Sequence, residues 1–159
     1  TAADLTMGTL RGTSAILSAG TASSSYTTGT LQVAGGAGFT GAMYVQGNFY
    51  SGGDVTAWYS SDSRLKENVA PIAGALDKIS KIGGYTFNWN AEGQKQNPDR
   101  AVNDVGVLAQ EIQAVQPEIV VERDNGYLAV NYEKLVPLLI QGIKELQEEV
   151  KALRAKIGE

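Results

Sequence analysis

The sequence contains no cysteine and no histidine. Disulfide frameworks, thiol nucleophiles and histidine-based catalytic triads are therefore excluded, because each of them needs one of these two side chains. Zinc sites lose their usual nitrogen and sulfur ligands for the same reason, and we expect neither a metal nor a cofactor. Carboxylates and lysines remain as the side chains that could act as a base.

Clusters of positive charge and long apolar runs are also missing. The net charge is -4, and lysines and arginines are not gathered in one stretch, so we expect no nucleic-acid partner. No apolar run approaches the roughly 20 residues that span a bilayer. The N-terminus has no charged segment followed by a short apolar one. We therefore expect no membrane insertion.

Glycine, serine, threonine and alanine dominate residues 1–53, and the composition changes near Asp54. Glycines separate three short β-prone runs, at residues 30–33, 43–46 and 48–50. Each run is too short to bury a core by itself. The pattern predicts a β-rich fibrous segment that takes its missing layers from identical neighbouring chains, and a flexible linker is the alternative.

Near the C-terminus, apolar residues alternate spacings of four and three along the chain. They are Tyr132, Val136, Leu139, Ile143, Leu146, Val150, Leu153 and Ile157. This is a heptad pattern with β-branched residues at a, and it predicts a coiled-coil helix over about residues 132–158. Glu149 at g and Arg154 at e are placed to pair between parallel chains. The alternative is one amphipathic helix packed on its own domain, which usually has a broader apolar face.

The middle of the chain predicts a small α+β unit. A helix is expected within residues 71–82, with Pro71 in its first turn. The other expected elements are a strand at 85–89, a polar loop at 91–103, a strand at 104–108, a helix at 109–115 and a hairpin over 118–130 that turns at Gly126. The fold class is therefore α+β, with a small mixed domain, a long C-terminal coiled-coil helix and a β-rich fibrous stub in front.

Three motifs carry a resemblance to a known family. They read Ser-Ser-Asp-Ser-Arg-Leu-Lys at 60–66, Gly-Val-Leu-Ala-Gln-Glu-Ile at 106–112, and Val-Asn-Tyr-Glu-Lys-Leu-Val-Pro-Leu-Leu-Ile at 130–140. Over about residues 54–159 the chain resembles the C-terminal intramolecular chaperone domain of phage tailspikes and tail fibres, the peptidase S74 family. The resemblance implies a homotrimer, whereas β-branched residues at a with leucine at d favour dimers in peptides. It also implies that residues 1–60 end a fibre shaft and that residues 61–159 form the chaperone domain.

The function implied by the resemblance is assembly followed by self-cleavage. The domain would drive trimerisation and folding of a tail fibre or tailspike and then release itself by cutting between Ser60 and Ser61. It would act as a serine endopeptidase on its own upstream fibre segment. The fibre would belong to the virion, and the chaperone part would be released in the host cytoplasm. The alternative function is an uncleaved trimeric tip or receptor-binding end.

In that family the nucleophile attacks the carbonyl just before it, which implies Ser61 as nucleophile and Lys66 as general base. Residues five apart lie about 140° from each other around a helix and on opposite sides of a strand. Either a bend in the chain or a neighbouring subunit must therefore bring these two together. A lysine is a base only when neutral, and Arg64 is a candidate neighbouring cation that would destabilise the ammonium.

Four further residues are candidate supporting residues: Asp62, Arg64, Gln110 and Glu111. For Gln110 and Glu111, a structural role in packing or hydrogen bonding is at least as well supported as a catalytic one. Without the resemblance, Ser-Asp-Ser before Arg-Leu-Lys is also typical of a helix N-cap followed by a solvated first turn.

Overall fold

The computed structural model describes residue 25 and residues 28–45, 47–98 and 100–158. The chain divides into two units, Thr1–Tyr59 and Ser60–Glu159, and each is described by itself. Most of the segment before residue 28, and residue 46 of the β-prone run at 43–46, lie outside the described residues.

Among the residues of the first unit that the structure describes, none lies in a helix or a strand. The predicted β-rich stub takes its missing layers from neighbouring chains, so for the single chain it stays a prediction. A strand needs a partner for its backbone N–H and C=O groups, and the prediction supplies that partner from an identical neighbouring chain. Large apolar side chains of the first unit are exposed, including Leu31, Phe39, Tyr44, Phe49, Tyr50 and Trp58.

The second unit mixes helices and strands. In chain order they are α1 (Ala75–Ser80), β1 (Tyr85–Asn88), α2 (Ala91–Gln96), β2 (Asn103–Gly106), α3 (Ala109–Val115), β3 (Val120–Glu122), β4 (Leu128–Val130) and α4 (Leu135–Ile157). Short 3-10 turns lie at Ser63–Leu65, Pro117–Ile119 and Tyr132–Lys134. This arrangement confirms a small mixed domain with a long C-terminal helix.

The strands form two separate antiparallel pairs. In the first, β1 runs against β2 with Tyr85 opposite Gly106. In the second, β3 and β4 form a hairpin with Val120 opposite Val130. The hairpin turns at Gly126, whose φ of 80° suits a residue without a Cβ. The predicted hairpin is confirmed, while pairing of the first two strands was not anticipated.

Two helix boundaries differ from the sequence prediction. The stretch predicted as a polar loop at 91–103 begins with α2, because the Asn90 side chain accepts a hydrogen bond from the Gly93 amide at 2.9 Å and caps the helix. Helix α1 begins at Ala75 rather than near Pro71. Gly74 precedes it in the left-handed region, at a φ of 61°, so the helix cannot extend further back.

The core is small and lies where helices meet. Its buried apolar side chains come from α1, α3, the turn after α3 and α4: Ala75, Ile112, Ile119 and Leu138. Helix α4 approaches α1 so closely at Gly142 that a Cβ there would overlap Cδ1 of Ile79. A larger residue at position 142 would therefore force the Ile79 side chain to move.

Helix α4 has two distinct faces. Leu138 and Gly142 are buried on the face that packs on α1. The heptad positions remain exposed, at 41–71%: Val136, Leu139, Ile143, Leu146, Val150, Leu153 and Ile157, here called the seam. Tyr132 precedes α4 in a 3-10 turn, so the α-helical part of the pattern begins at Val136. The helix thus packs on its own domain without using the seam.

Of the helices in the described ranges, none is long and apolar enough to cross a bilayer.

Candidate active site

A single 3-10 turn, Ser63–Leu65, shapes the segment that was expected to be cleaved. Asp62 begins the turn, since its side chain accepts a hydrogen bond from the Arg64 amide at 2.9 Å. The Leu65 and Lys66 amides then donate to the carbonyls of Asp62 and Ser63, each at 3.1 Å. In place of the longer helix that the alternative interpretation offered, Asp62 caps one tight turn, after which Lys66 returns to extended backbone.

This turn brings Ser61 and Lys66 together. The Lys66 ammonium Nζ donates a hydrogen bond to Ser61 Oγ at 2.7 Å. That distance lies within the reach required of a general base and its nucleophile. Of the two routes that the spacing left open, a bend of the chain is the one observed. Both side chains are exposed, as are all residues from 60 to 71.

Arg64 forms an ion pair with Asp62. Its Nε donates to Asp62 Oδ1 at 3.0 Å and its Nη2 donates to Oδ2 at 2.7 Å. The Arg64 side chain, followed by the Arg64 amide, lowers the pKa of Asp62, and the same carboxylate raises the pKa of Arg64. In the single chain Arg64 therefore holds the turn through its ion pair with Asp62.

Glu111 ties helix α3 to the connection between α1 and β1. Its Oε2 accepts from the Gly83 amide at 2.8 Å and its Oε1 accepts from the Tyr85 hydroxyl at 2.6 Å. The Tyr85 hydroxyl and then the Gly83 amide lower the pKa of Glu111, while the pKa of Tyr85 is raised by the same bond. The contacts of Glu111 are structural. Among the hydrogen bonds of the described residues, none joins it or the exposed Gln110 to Ser61 or Lys66.

Glu145 is a residue that the sequence analysis missed. Its carboxylate reaches from α4 to the start of α1 and accepts hydrogen bonds from the Ala75 amide at 3.1 Å and the Leu76 amide at 2.8 Å. These two bonds, that of Leu76 first, lower the pKa of Glu145. Gly74 offers no side chain to cap α1, which is the one local signal that a distant partner was needed.

Metal ligation is not supported by the described part of the chain. Within residues 28–45, 47–98 and 100–158, no group of three acidic side chains is arranged to hold an ion.

Comparison with known proteins identifies the domain that contains this turn. Residues 61–121 match the family model Peptidase_S74, described as the chaperone of endosialidase. The chain carries a peptidase S74 chaperone domain. The matched range begins at Ser61 and includes Lys66, α1, both strands of the first pair and the Glu111 motif. The resemblance drawn from three sequence motifs is thereby confirmed.

Relatives of this S74 domain are phage fibre proteins. The chain is 31% identical over 121 residues to the long tail fiber protein Gp37 of Enterobacteria phage K3, covering 72% of this chain and 10% of that protein. It is 33% identical over 124 residues to Gp37 of phage M1, covering 72% of this chain and 48% of the relative. For Gp37 of phage Ox2 the identity is 33% over 138 residues, with 79% and 53% covered. The chain thus spans between a tenth and about half of the length of these relatives.

Proposed function

We propose that this chain is the assembly chaperone of a phage tail fibre and that it cuts itself between Ser60 and Ser61. The observation that carries the proposal is the 2.7 Å hydrogen bond between Lys66 Nζ and Ser61 Oγ. A serine hydroxyl is a weak nucleophile unless a base takes its proton, and this lysine is in position to do so. Membership of the peptidase S74 family supports the same chemistry.

The reaction has two steps. Neutral Lys66 takes the hydroxyl proton as Ser61 Oγ attacks the carbonyl carbon of Ser60. The bond between that carbon and the Ser61 nitrogen breaks, the nitrogen takes the proton from Lys66, and an ester joins Ser60 to Ser61 Oγ. Water then hydrolyses the ester, which leaves a carboxylate on Ser60 and restores the Ser61 hydroxyl. Each chain reacts once, because enzyme and substrate are the same molecule.

Association of chains supplies what the single chain lacks. Lys66 must lose its proton before it can act, and burial away from water favours the neutral form of a lysine. In the single chain the whole segment 60–71 is exposed. Coverage of this segment in the assembled state would therefore activate a pair that is already in contact.

The exposed seam of α4 supports the assembly role. An apolar stripe that a helix does not bury in its own domain gains free energy when identical helices cover it. We propose a homotrimer in which residues 61–159 form the chaperone domain and residues 1–60 end the fibre shaft. The exposed apolar side chains of residues 31–59 would be covered by their counterparts in the same trimer.

Cleavage after assembly would make the shaft kinetically stable. Removing the coiled coil deletes the element that brought the three chains together, so that the shaft cannot unfold by reversing its route.

Because the Gp37 relatives are long tail fiber proteins, we place the chain in the tail fibre of a virion, with the chaperone part released in the host cytoplasm.

Mass spectrometry of the incubated protein under denaturing conditions tests the proposal. The expected products are residues 1–60 and residues 61–159, with Ser61 at the new N-terminus. Ser61→Ala serves as the control and should keep the intact mass. An uncleaved fibre tip, the alternative function, would give only the intact mass even where light scattering shows a fully assembled oligomer.

A further inference from the structure

Helix α1 begins without a cap of its own. It has six residues, and helices this short do not persist alone in water. The first amides of a helix have no partner within it, and Gly74 supplies no side chain to bond them. The start of α1 therefore depends on groups from elsewhere in the domain.

Glu145 supplies those groups from helix α4. Its two carboxylate oxygens take the Ala75 and Leu76 amides separately, at 3.1 and 2.8 Å. A negative charge at the N-terminus of a helix also interacts favourably with the helix dipole. The lowered pKa of Glu145 has the same origin, since both amides bond the ionised form. One carboxylate thus caps a helix that lies about 70 residues earlier in the chain.

The position of Glu145 connects two parts of the molecule. It lies between Ile143 and Leu146 of the seam in sequence, but like Gly142 it contacts α1. At the other end of the contact, residues 67–74 lead directly from Lys66 to α1. A contact that fixes α4 in an assembly would therefore also fix the start of α1, to which residues 67–74 connect Lys66.

We propose that Glu145 is a positioning residue for self-cleavage, which anchors the segment that carries Ser61 and Lys66 to the helix that bears the seam. This rests on the proposed function. Fixing one end of a segment lowers the entropy that its reacting groups lose on reaching a productive geometry. A misplacement of about 1 Å caused by a change away from the chemistry can cost about a hundredfold in rate.

The test compares Glu145→Gln and Glu145→Ala with a matched control, Glu148→Gln. Glu148 lies on the same helix, is exposed and pairs with Lys151 of that helix. Glutamine keeps the length of the side chain but turns an NH₂ group toward an amide that needs an acceptor, and alanine removes both acceptors. We expect cleavage to slow about tenfold in Glu145→Gln and more in Glu145→Ala, with the oligomer of the control retained.

Two readouts separate positioning from a general structural defect. Raising the protein concentration would restore cleavage if the variants only assembled poorly, and it should not restore the rate that is lost through positioning. In an uncleavable Ser61→Ala background, hydrogen exchange at the Ala75 and Leu76 amides should accelerate in both Glu145 variants and not in the control.

Each outcome of these experiments supports or overturns the positioning role of Glu145. Cleavage at the control rate, recovery at high concentration, loss of the oligomer, or unchanged exchange at the two amides would each overturn the role of Glu145. If the wild-type chain is not cut at all, the proposed cleavage fails, and the exchange experiment then decides whether Glu145 anchors the segment.

Discussion

Lys66 Nζ lies 2.7 Å from Ser61 Oγ, and both side chains are exposed to water in the single chain. The proposed nucleophile and the proposed base therefore meet without help from a second chain. What the exposed pair lacks is a dry surrounding that favours the neutral lysine. We infer that association of chains activates the pair by covering it rather than by assembling it.

The first prediction concerns the two reacting side chains. Ser61→Ala should abolish cleavage because no nucleophile remains, and Lys66→Arg should abolish it because a guanidinium stays charged and cannot take a proton. Ser63→Ala is the matched control, since Ser63 lies in the same turn, and it should cleave like the wild type. The measurement is the mass of the products after timed incubation. Undiminished cleavage in either variant would remove that residue from its proposed role.

The turn that holds the pair gives a second prediction. Asp62→Ala removes the acceptor for the Arg64 amide and all three bonds to the guanidinium, so the turn should loosen and cleavage should slow several-fold. Asp62→Asn keeps an acceptor for the amide and should retain more of the rate. A time course on denaturing gels compares the two variants with Ser63→Ala. Equal rates in all three would show that the cap is not needed for the reaction.

The third prediction uses the lowered pKa of Glu111. Because the Tyr85 hydroxyl and the Gly83 amide bond the ionised carboxylate, its folded pKa lies below the ordinary value of 4.5. Its stabilisation is therefore complete above pH 4.5 and is lost as the pH falls through the folded pKa. Glu111→Gln should reduce stability near neutral pH, and the difference from the wild type should shrink in acid below this value.

Urea unfolding at a series of pH values measures that difference, in a Ser61→Ala background so that every chain stays intact. Glu122→Gln, which changes an exposed residue of β3, is the control. A constant difference between Glu111→Gln and its parent across the acid range would mean that the charge of Glu111 contributes nothing.

Features with local causes were predictable from the sequence. The long helix follows from its heptad pattern, and the β3–β4 hairpin follows from two short β-prone runs around Gly126. Helix α2 was missed because its residues are polar and show no apolar period. Its one signal was Asn90 placed three residues before Gly93, where an asparagine can cap a helix.

Features that depend on distant partners were not predictable. Tyr85 pairs with Gly106 across α2, and no local pattern specifies that register. Glu145 bonds two amides about 70 residues away, which its own neighbours in sequence do not indicate. For Ser61 and Lys66 the spacing excluded regular elements correctly. The 3-10 turn that joins them was not predictable, because an N-cap such as Asp62 can also begin a longer helix.

The last prediction tests whether cleavage depends on association. Polar replacement of Ile143, Leu146 and Val150 removes central layers from the expected coil, at a cost of roughly 2–5 kcal/mol for each large side chain lost from a packed core. These side chains are 67%, 48% and 41% exposed in the single chain, so the domain itself should stay folded. We expect a folded monomer that remains uncut although Ser61 and Lys66 are unchanged.

A double change on the polar face, Glu148→Gln with Lys151→Gln, is the control, since it breaks an exposed ion pair on the same helix and leaves the seam intact. Light scattering gives the oligomeric state, circular dichroism reports the helix, and a denaturing gel reports the cut. The control should assemble and cleave like the wild type. A seam variant that is monomeric and yet cleaves at the wild-type rate would show that a single chain suffices without any cover from neighbouring chains.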